Sequence, residues 1–214
     1  NKNVAVGNSA LTSNTIGLEN TAVGHETLLA NQAGQNNTAI GAYALRISVS
    51  GNNNTATGTY ALYNNTSSYN TAFGSGALFT NNSGYRNTAA GNRTMYLNTT
   101  GIENSAFGDE ALLSNTTGKN NAAFGSYALY SNTTGNNNTA IGYQALNSLV
   151  TGSSNIAIGT GTLFFNTSGS NNIAIGNNAG TDPSFPATSN AISIGNGAVA
   201  YSNQMTFGST GMND

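Results

Sequence analysis

The chain of 214 residues contains no cysteine, only two prolines and hardly any charge. Without cysteine there is neither a disulfide framework nor thiolate chemistry. Charged residues make up 6% of the chain, against roughly 25% in ordinary soluble domains. The net charge of −2 provides no basic field to draw nucleic acid or anionic lipid. No apolar run approaches the roughly 18 residues of a membrane-spanning helix, so no membrane contact is expected from this segment. Low charge does not mean disorder here, because disorder goes with few apolar residues and high net charge. In this chain the apolar residues hold strict positions. The chain opens on Asn1, already inside its repeated phrase, and reads as a piece of a longer protein whose targeting and anchoring parts lie elsewhere.

What is present is one phrase, Asn138-Thr139-Ala140-Ile141-Gly142-Tyr143-Gln144-Ala145-Leu146, repeated almost from end to end. Its glycine recurs at Gly7, Gly24, Gly41, Gly58, Gly74, Gly91, Gly108, Gly125, Gly142, Gly159 and Gly176. Every step is 17 residues except the 16 between Gly58 and Gly74. A short fixed period outranks any globular reading. With this anchor glycine as position 0, position −4 is Asn and position −2 is Ala in all eleven repeats. Position −3 is mostly Thr, and position −1 mostly Val, Ile or Phe. Position +4 is Leu or Met from Leu11 to Leu163, position +7 mostly Asn, and position +10 mostly Gly.

A 17-residue unit is too short for two helices. Each half is a brief alternating run bounded by Asn and Gly, which reads as two short strands and two turns per repeat. The expected fold is all-β: a parallel β-roll or β-solenoid of about 12 coils, stacked roughly 4.8 Å apart. Residues 1–180 form the regular array. Residues 181–189, with both Pro183 and Pro186, read as an inserted loop pushed off the rod. Residues 190–214 read as a shorter terminal coil, a transition to another repeat type. Strand alternation puts positions −3 and −1 on one face and Ala −2 on the other. Dense packing of the interior calls for the bulky column, so positions −1 and +4 are expected inside and Ala outside. Asn columns are expected to hydrogen-bond from coil to coil as amide ladders.

The phrase Asn-Thr-Ala-Ile-Gly-x-x-Ala-Leu resembles the head repeats of trimeric autotransporter adhesins, the YadA-like β-roll heads, whose phrase is Asn-Ser-Val-Ala-Ile-Gly on a shorter period. The nearest local matches are Asn155-Ile156-Ala157-Ile158-Gly159 and Asn172-Ile173-Ala174-Ile175-Gly176. The same phrase is similar to repeat arrays in phage and virus tail-fibre proteins. The resemblance implies a left-handed β-roll, homotrimeric, in an extracellular, cell-surface or virion-surface fibre that attaches to a surface.

Chemistry is thinly supplied. His25 is the only histidine, and only Asp109 and Glu110 adjoin among the acids. Neither makes a metal cluster. The serines lack a base partner. No catalytic residue, metal site or cofactor is expected. The candidate binding residues are the aromatics at position +5, Tyr63, Phe79, Tyr96, Tyr130 and Phe164, read as a subunit interface or a glycan-stacking row. Asp182 and Phe185 in the loop are added because they break the repeat. The leading function is a structural and adhesive fibre segment, its partners itself as a homotrimer and a host receptor or glycan. The alternative is an ice-binding β-solenoid, suggested by the Thr column but opposed by the Ile and Phe sharing its face, which are expected inside.

Overall fold

The computed structural model describes residues 2–180 and 182–208. Thirteen strands of three residues, β1 (Val4–Val6) to β13 (Met205–Phe207), form one sheet in strict sequence order. Every neighbouring pair is parallel and in register, as in Ala140 opposite Ala157 opposite Ala174. The chain is therefore a β-solenoid, one strand per coil. At about 4.8 Å per coil the rod is roughly 60 Å long.

Only one half of each coil is β. Where the alternating pattern suggests a second strand, the backbone turns instead. Position +4 carries positive φ throughout, 51° at both Leu129 and Leu146, and so does position +2, with 59° at Tyr127 and 57° at Gln144. A left-handed leucine costs on the order of 1–2 kcal/mol. Full burial offsets that, since Leu129 and Leu146 are completely enclosed and a buried leucine is worth about 1.5–3 kcal/mol. This half still bonds coil to coil: Leu129 N–H donates to Ala145 O (3.0 Å) and Leu146 N–H to Thr162 O (2.9 Å).

The inside and outside of the strand are the reverse of the expected arrangement. Ala140 and its equivalents at position −2 from Ala22 to Ala174 are fully buried, whereas Ile141, Phe124 and Phe107 at position −1 stand about 40% exposed. The interior is thin. Ala at −2, Ala or Thr at +3 and Leu at +4 fill it together. Gly180 occupies the leucine position of its coil, and a Cβ built there would lie 3.3 Å from the Ala174 Cβ. Across such a gap a leucine can meet only a methyl group. The volume argument failed because leucine and two asparagine columns already fill the space.

Both asparagine columns are buried ladders. Asn138 donates N–H and Nδ2–H to Asn121 Oδ1 (3.0 and 3.2 Å), and its own Oδ1 accepts the same pair from Asn155 (3.0 Å each). Its Nδ2 also reaches Gly152 O (2.9 Å), tying the start of the coil to its end. At position +7, Asn115 Nδ2 bonds Asn98 Oδ1 (2.7 Å) and Gly118 O (3.1 Å). Gly118 O takes Asn104 Nδ2 as well (2.9 Å). Position +10 is glycine because a Cβ at Gly118 would sit 2.5 Å from Gly135 O. The anchor is glycine for two reasons: Gly142 has φ +134°, and its Cβ would meet Gly159 O at 2.5 Å.

Irregularities fall in the turns. The one-residue deletion is absorbed at Ser67, whose carbonyl takes both asparagine bonds that glycine otherwise accepts, from Asn54 (2.9 Å) and Asn65 (2.7 Å). The insertion at 181–189, of which residue 181 lies outside the described residues, is only partly off the rod. A turn closes from Phe185 N–H to Asp182 O (3.2 Å). Pro186 O then accepts Thr167 N–H (2.6 Å), and Thr188 O accepts Asn172 Nδ2 (2.7 Å), rejoining the stack. The final described coils keep strand register at Ile194 and Phe207 despite their 13-residue step.

Two outcomes follow for stability. Ala140→Leu should overpack the interior and cost about 1–3 kcal/mol, whereas Ile141→Leu on the outer face should change stability by less than about 0.5 kcal/mol; urea unfolding followed by circular dichroism separates them, and equal effects would contradict the burial described. Ser48 interrupts the +7 ladder, leaving Asn31 Oδ1 and its own Oγ buried without partners. Ser48→Asn should restore those bonds, gain about 1 kcal/mol and raise the thermal midpoint by about 2–4 °C. A lower midpoint would mean that the serine is there for a packing reason.

Candidate functional site

Three surfaces differ from the plain polar turns. The first is the outer face of the sheet. Its two columns are position −3, with Thr21, Thr38, Thr55, Thr71, Thr88 and Thr139, and position −1. Both point outward because the alanine between them points in. Toward the C-terminus the face becomes wholly apolar, through Ile156, Ile158, Ile173, Ile175, Ile192, Ile194, Met205 and Phe207. Phe107 and Phe124 stack on it at 5.0 Å. No strand residue is charged among the described residues. The ion pairs Lys2–Glu19, Arg46–Glu26, Arg86–Glu103 and Arg93–Glu110 all sit elsewhere, at positions −5, +2 and +5.

The second surface is the aromatic side, built by positions +2 and +5. Alternation suggests an outward +5 column, and Tyr63, Phe79, Tyr96, Tyr130 and Phe164 are all half-buried there. The structure brings Tyr63, Phe79 and Tyr96 together in one continuous stack, with centroids 5.1 and 4.8 Å apart and planes within 6°. A parallel stack at position +2 joins Tyr43 and Tyr60 at 4.9 Å, with His25 edge-on to Tyr43. The rings at position +2 interlock with the +5 row through Tyr60, which meets Tyr63 at 5.6 Å and Phe79 at 6.1 Å. Cations frame the stack. The Arg46 guanidinium lies 5.8 Å from the Tyr63 centroid and that of Arg93 5.2 Å from the Tyr96 centroid. Arg46 Nε bonds Glu26 Oε2 at 2.6 Å, a bond that raises the arginine pKa.

Tyr130 belongs to a separate group with Tyr127 (5.8 Å), and Tyr127 in turn meets Tyr143 (6.1 Å). The charges of Asp109 and then Glu110 raise the Tyr127 phenol pKa. Phe164 packs edge-on against Phe165 at 4.9 Å, away from both groups. The expected row is thus three clusters.

The third surface is the loop. Phe185 is half exposed and leans edge-on against Tyr201 at 4.8 Å. Asp182 accepts Ser184 N–H at Oδ1 (2.9 Å), an Asx-type turn that spends part of the carboxylate on its own backbone. Neither residue touches the aromatic side, so the loop and the rings are two sites and not one. Among the described residues no three His, Asp or Glu side chains gather as metal ligands would. No protein-family model, no curated protein and no solved structure matches this chain.

Proposed function

We propose that this β-solenoid is a structural and adhesive segment of an extracellular or virion fibre, assembled as a homotrimer through the outer face of its sheet. The observation that supports it most is the charge-free strip running from Val4 to Phe207, a Thr-rich column beside an apolar one that becomes wholly apolar from Ile156 onward. A strip about 60 Å long and about 10 Å wide offers on the order of 600 Å² per chain. That approaches the about 800 Å² per partner of a stable interface. In-register ladders of Ile, Val and Phe on each copy give long, flat, self-complementary ridges. The alanine column is interior, so the contact falls to positions −3 and −1. The resemblance to YadA-like heads and tail-fibre arrays supports three copies and not two. The ring clusters and the loop remain outward as contact surfaces for a receptor or glycan.

A second reading is favoured by one finding. The Thr column shares its face with outward Ile and Phe, so the objection that this face lies inside falls away. In-register threonines on a flat, uncharged sheet are what an ice-binding surface requires. Against it, the column changes to Ile and Met over the last coils, and Phe73, Phe107 and Phe124 stand up from the plane.

Light scattering at micromolar concentration should give three times the 21.7 kDa of one chain. Phe124→Lys with Ile158→Lys, two charges two coils apart on the position −1 ridge of the face, should return the single-chain mass with unchanged circular dichroism. A monomeric parent would sink the assembly. Thermal hysteresis of the purified parent should be absent; its presence, abolished by Thr71→Lys with Thr88→Lys, would establish the second reading in its place.

A further inference from the structure

Position +2 is glycine at Gly76, Gly161 and Gly197, and only Gly76 follows stacked rings. The rings step along the rod from Tyr43 to Tyr60 at 4.9 Å, and the next member is Gly76. The member after that is Arg93, whose guanidinium lies against Tyr96 and bonds Glu110 Oε1 at 2.6 Å. One side chain is missing between Tyr60 and Arg93, two coils and so about 9.6 Å apart. The gap is a cavity of about 500 Å³, floored by Phe79 and Tyr96 and rimmed by Ser75 and Asn92. Stacked rings elsewhere on this side repeat at 4.8–5.1 Å, so the slot takes one ring-sized group in the place of the absent side chain.

We propose that the Gly76 notch binds one neutral hexopyranose unit of a glycan, its apolar face laid on the Tyr60 ring and its hydroxyl edge turned to Arg93, Asn92 and Ser75. The proposal rests on the adhesive half of the function above and not on the assembly. Three features select this ligand. The walls are ring-like on one side and a row of donors on the other, which suits a ring with one apolar face and a polar rim. The one rim cation, Arg93, is already paired with Glu110, and Asn92 donates Nδ2–H to Asp109 Oδ1 (3.0 Å), so no uncompensated cation calls for a sugar acid or phosphate. Rim groups such as Ser75 and Asn92 would lose water without recompense against a plain aromatic ring, but not against hydroxyls. Gly76 has φ +65°, a conformation that Tyr43 and Tyr60 hold at 63° and 61°. The backbone therefore admits tyrosine there, and the notch is open because the residue is glycine.

The test uses the whole chain, with methyl glucoside, methyl galactoside and methyl mannoside as probes, p-cresol as an aromatic probe and N-acetylneuraminic acid as an anionic one. Saturation-transfer NMR and tyrosine fluorescence should detect at least one methyl hexopyranoside binding in the millimolar range, with the acid no tighter. Gly76→Tyr should plug the slot and weaken binding by at least about tenfold. A built Cβ at Gly76 lies 3.1 Å from Tyr96 Cε2, so the ring must give slightly. If that variant fails to fold, Arg93→Ala and Tyr60→Ala, both at exposed side chains, decide the matter and should each weaken binding. No pyranoside binding, equal binding by Gly76→Tyr, or binding of p-cresol alone would each overturn the proposal. The mass of the same samples, read by light scattering, tells independently whether the assembly stands.

Discussion

Everything in the rod depends on how narrow the coil is. The two walls approach until a leucine on one meets only a methyl group on the other, as Ala174 and the position of Gly180 illustrate. Such a gap cannot take a second bulky column, which sends Val, Ile and Phe to the outside. It also leaves no space for water at the coil ends, so the backbone groups there must be satisfied by side chains. Asparagine is short enough to fit and has both a donor and an acceptor to give. Its Oδ1 accepts from the coil ahead while its Nδ2 bonds the coil behind and the glycine carbonyl that ends its own coil. Narrowness, the alanine column and the asparagine ladders are one constraint seen at three positions.

Much of this was legible in the sequence and some was not, for identifiable reasons. The coil, its parallel stacking and the asparagine ladders follow from the period and from Asn recurring at positions −4 and +7. Where the strand faces did not follow, the error lay in treating the interior as wide. Val23 and Ala22 alternate in either case; alternation gives two faces without saying which is inner. The better clue was constancy. Position −2 is alanine in all eleven regular repeats, whereas position −1 ranges from Ala90 to Phe107, and a close-packed site tolerates volume change poorly while a solvent-facing one does not resist it. The absent second strand was hidden by Leu129 and Leu146, residues that no propensity argument would place at positive φ. Their burial overrides the local cost.

The aromatic side was half legible. Position +5 was visible as a column because its rings recur, but their separation into three clusters depends on what stands at position +2. There the residues vary from Glu26 to Tyr43, Gly76, Arg93 and Gln144, and a variable position in a repeat looks like noise until the coils are stacked. Stacking turns the vertical order of those residues into a surface. Glu110 and Arg93 are neighbours only because residues 17 apart lie one coil apart.

A repeat rod therefore divides its labour by position in the coil. Residues that satisfy the narrow interior are copied with little change, since each alters contacts with both neighbouring coils. Residues outside that constraint are free to differ, and the differences are cheap because each sits on an unchanged backbone. Gly76 alters no strand, no ladder and no buried leucine, yet it converts a filled stack into a slot. The insertion after Gly180 likewise spends its extra residues on a surface turn while Pro186 and Thr188 keep the coil-to-coil bonds. On the adhesive reading proposed above, recognition belongs at single coils where an outer member is missing or added. The sheet face varies differently, by a gradual change of column from Thr-rich to wholly apolar with no charge on any described strand.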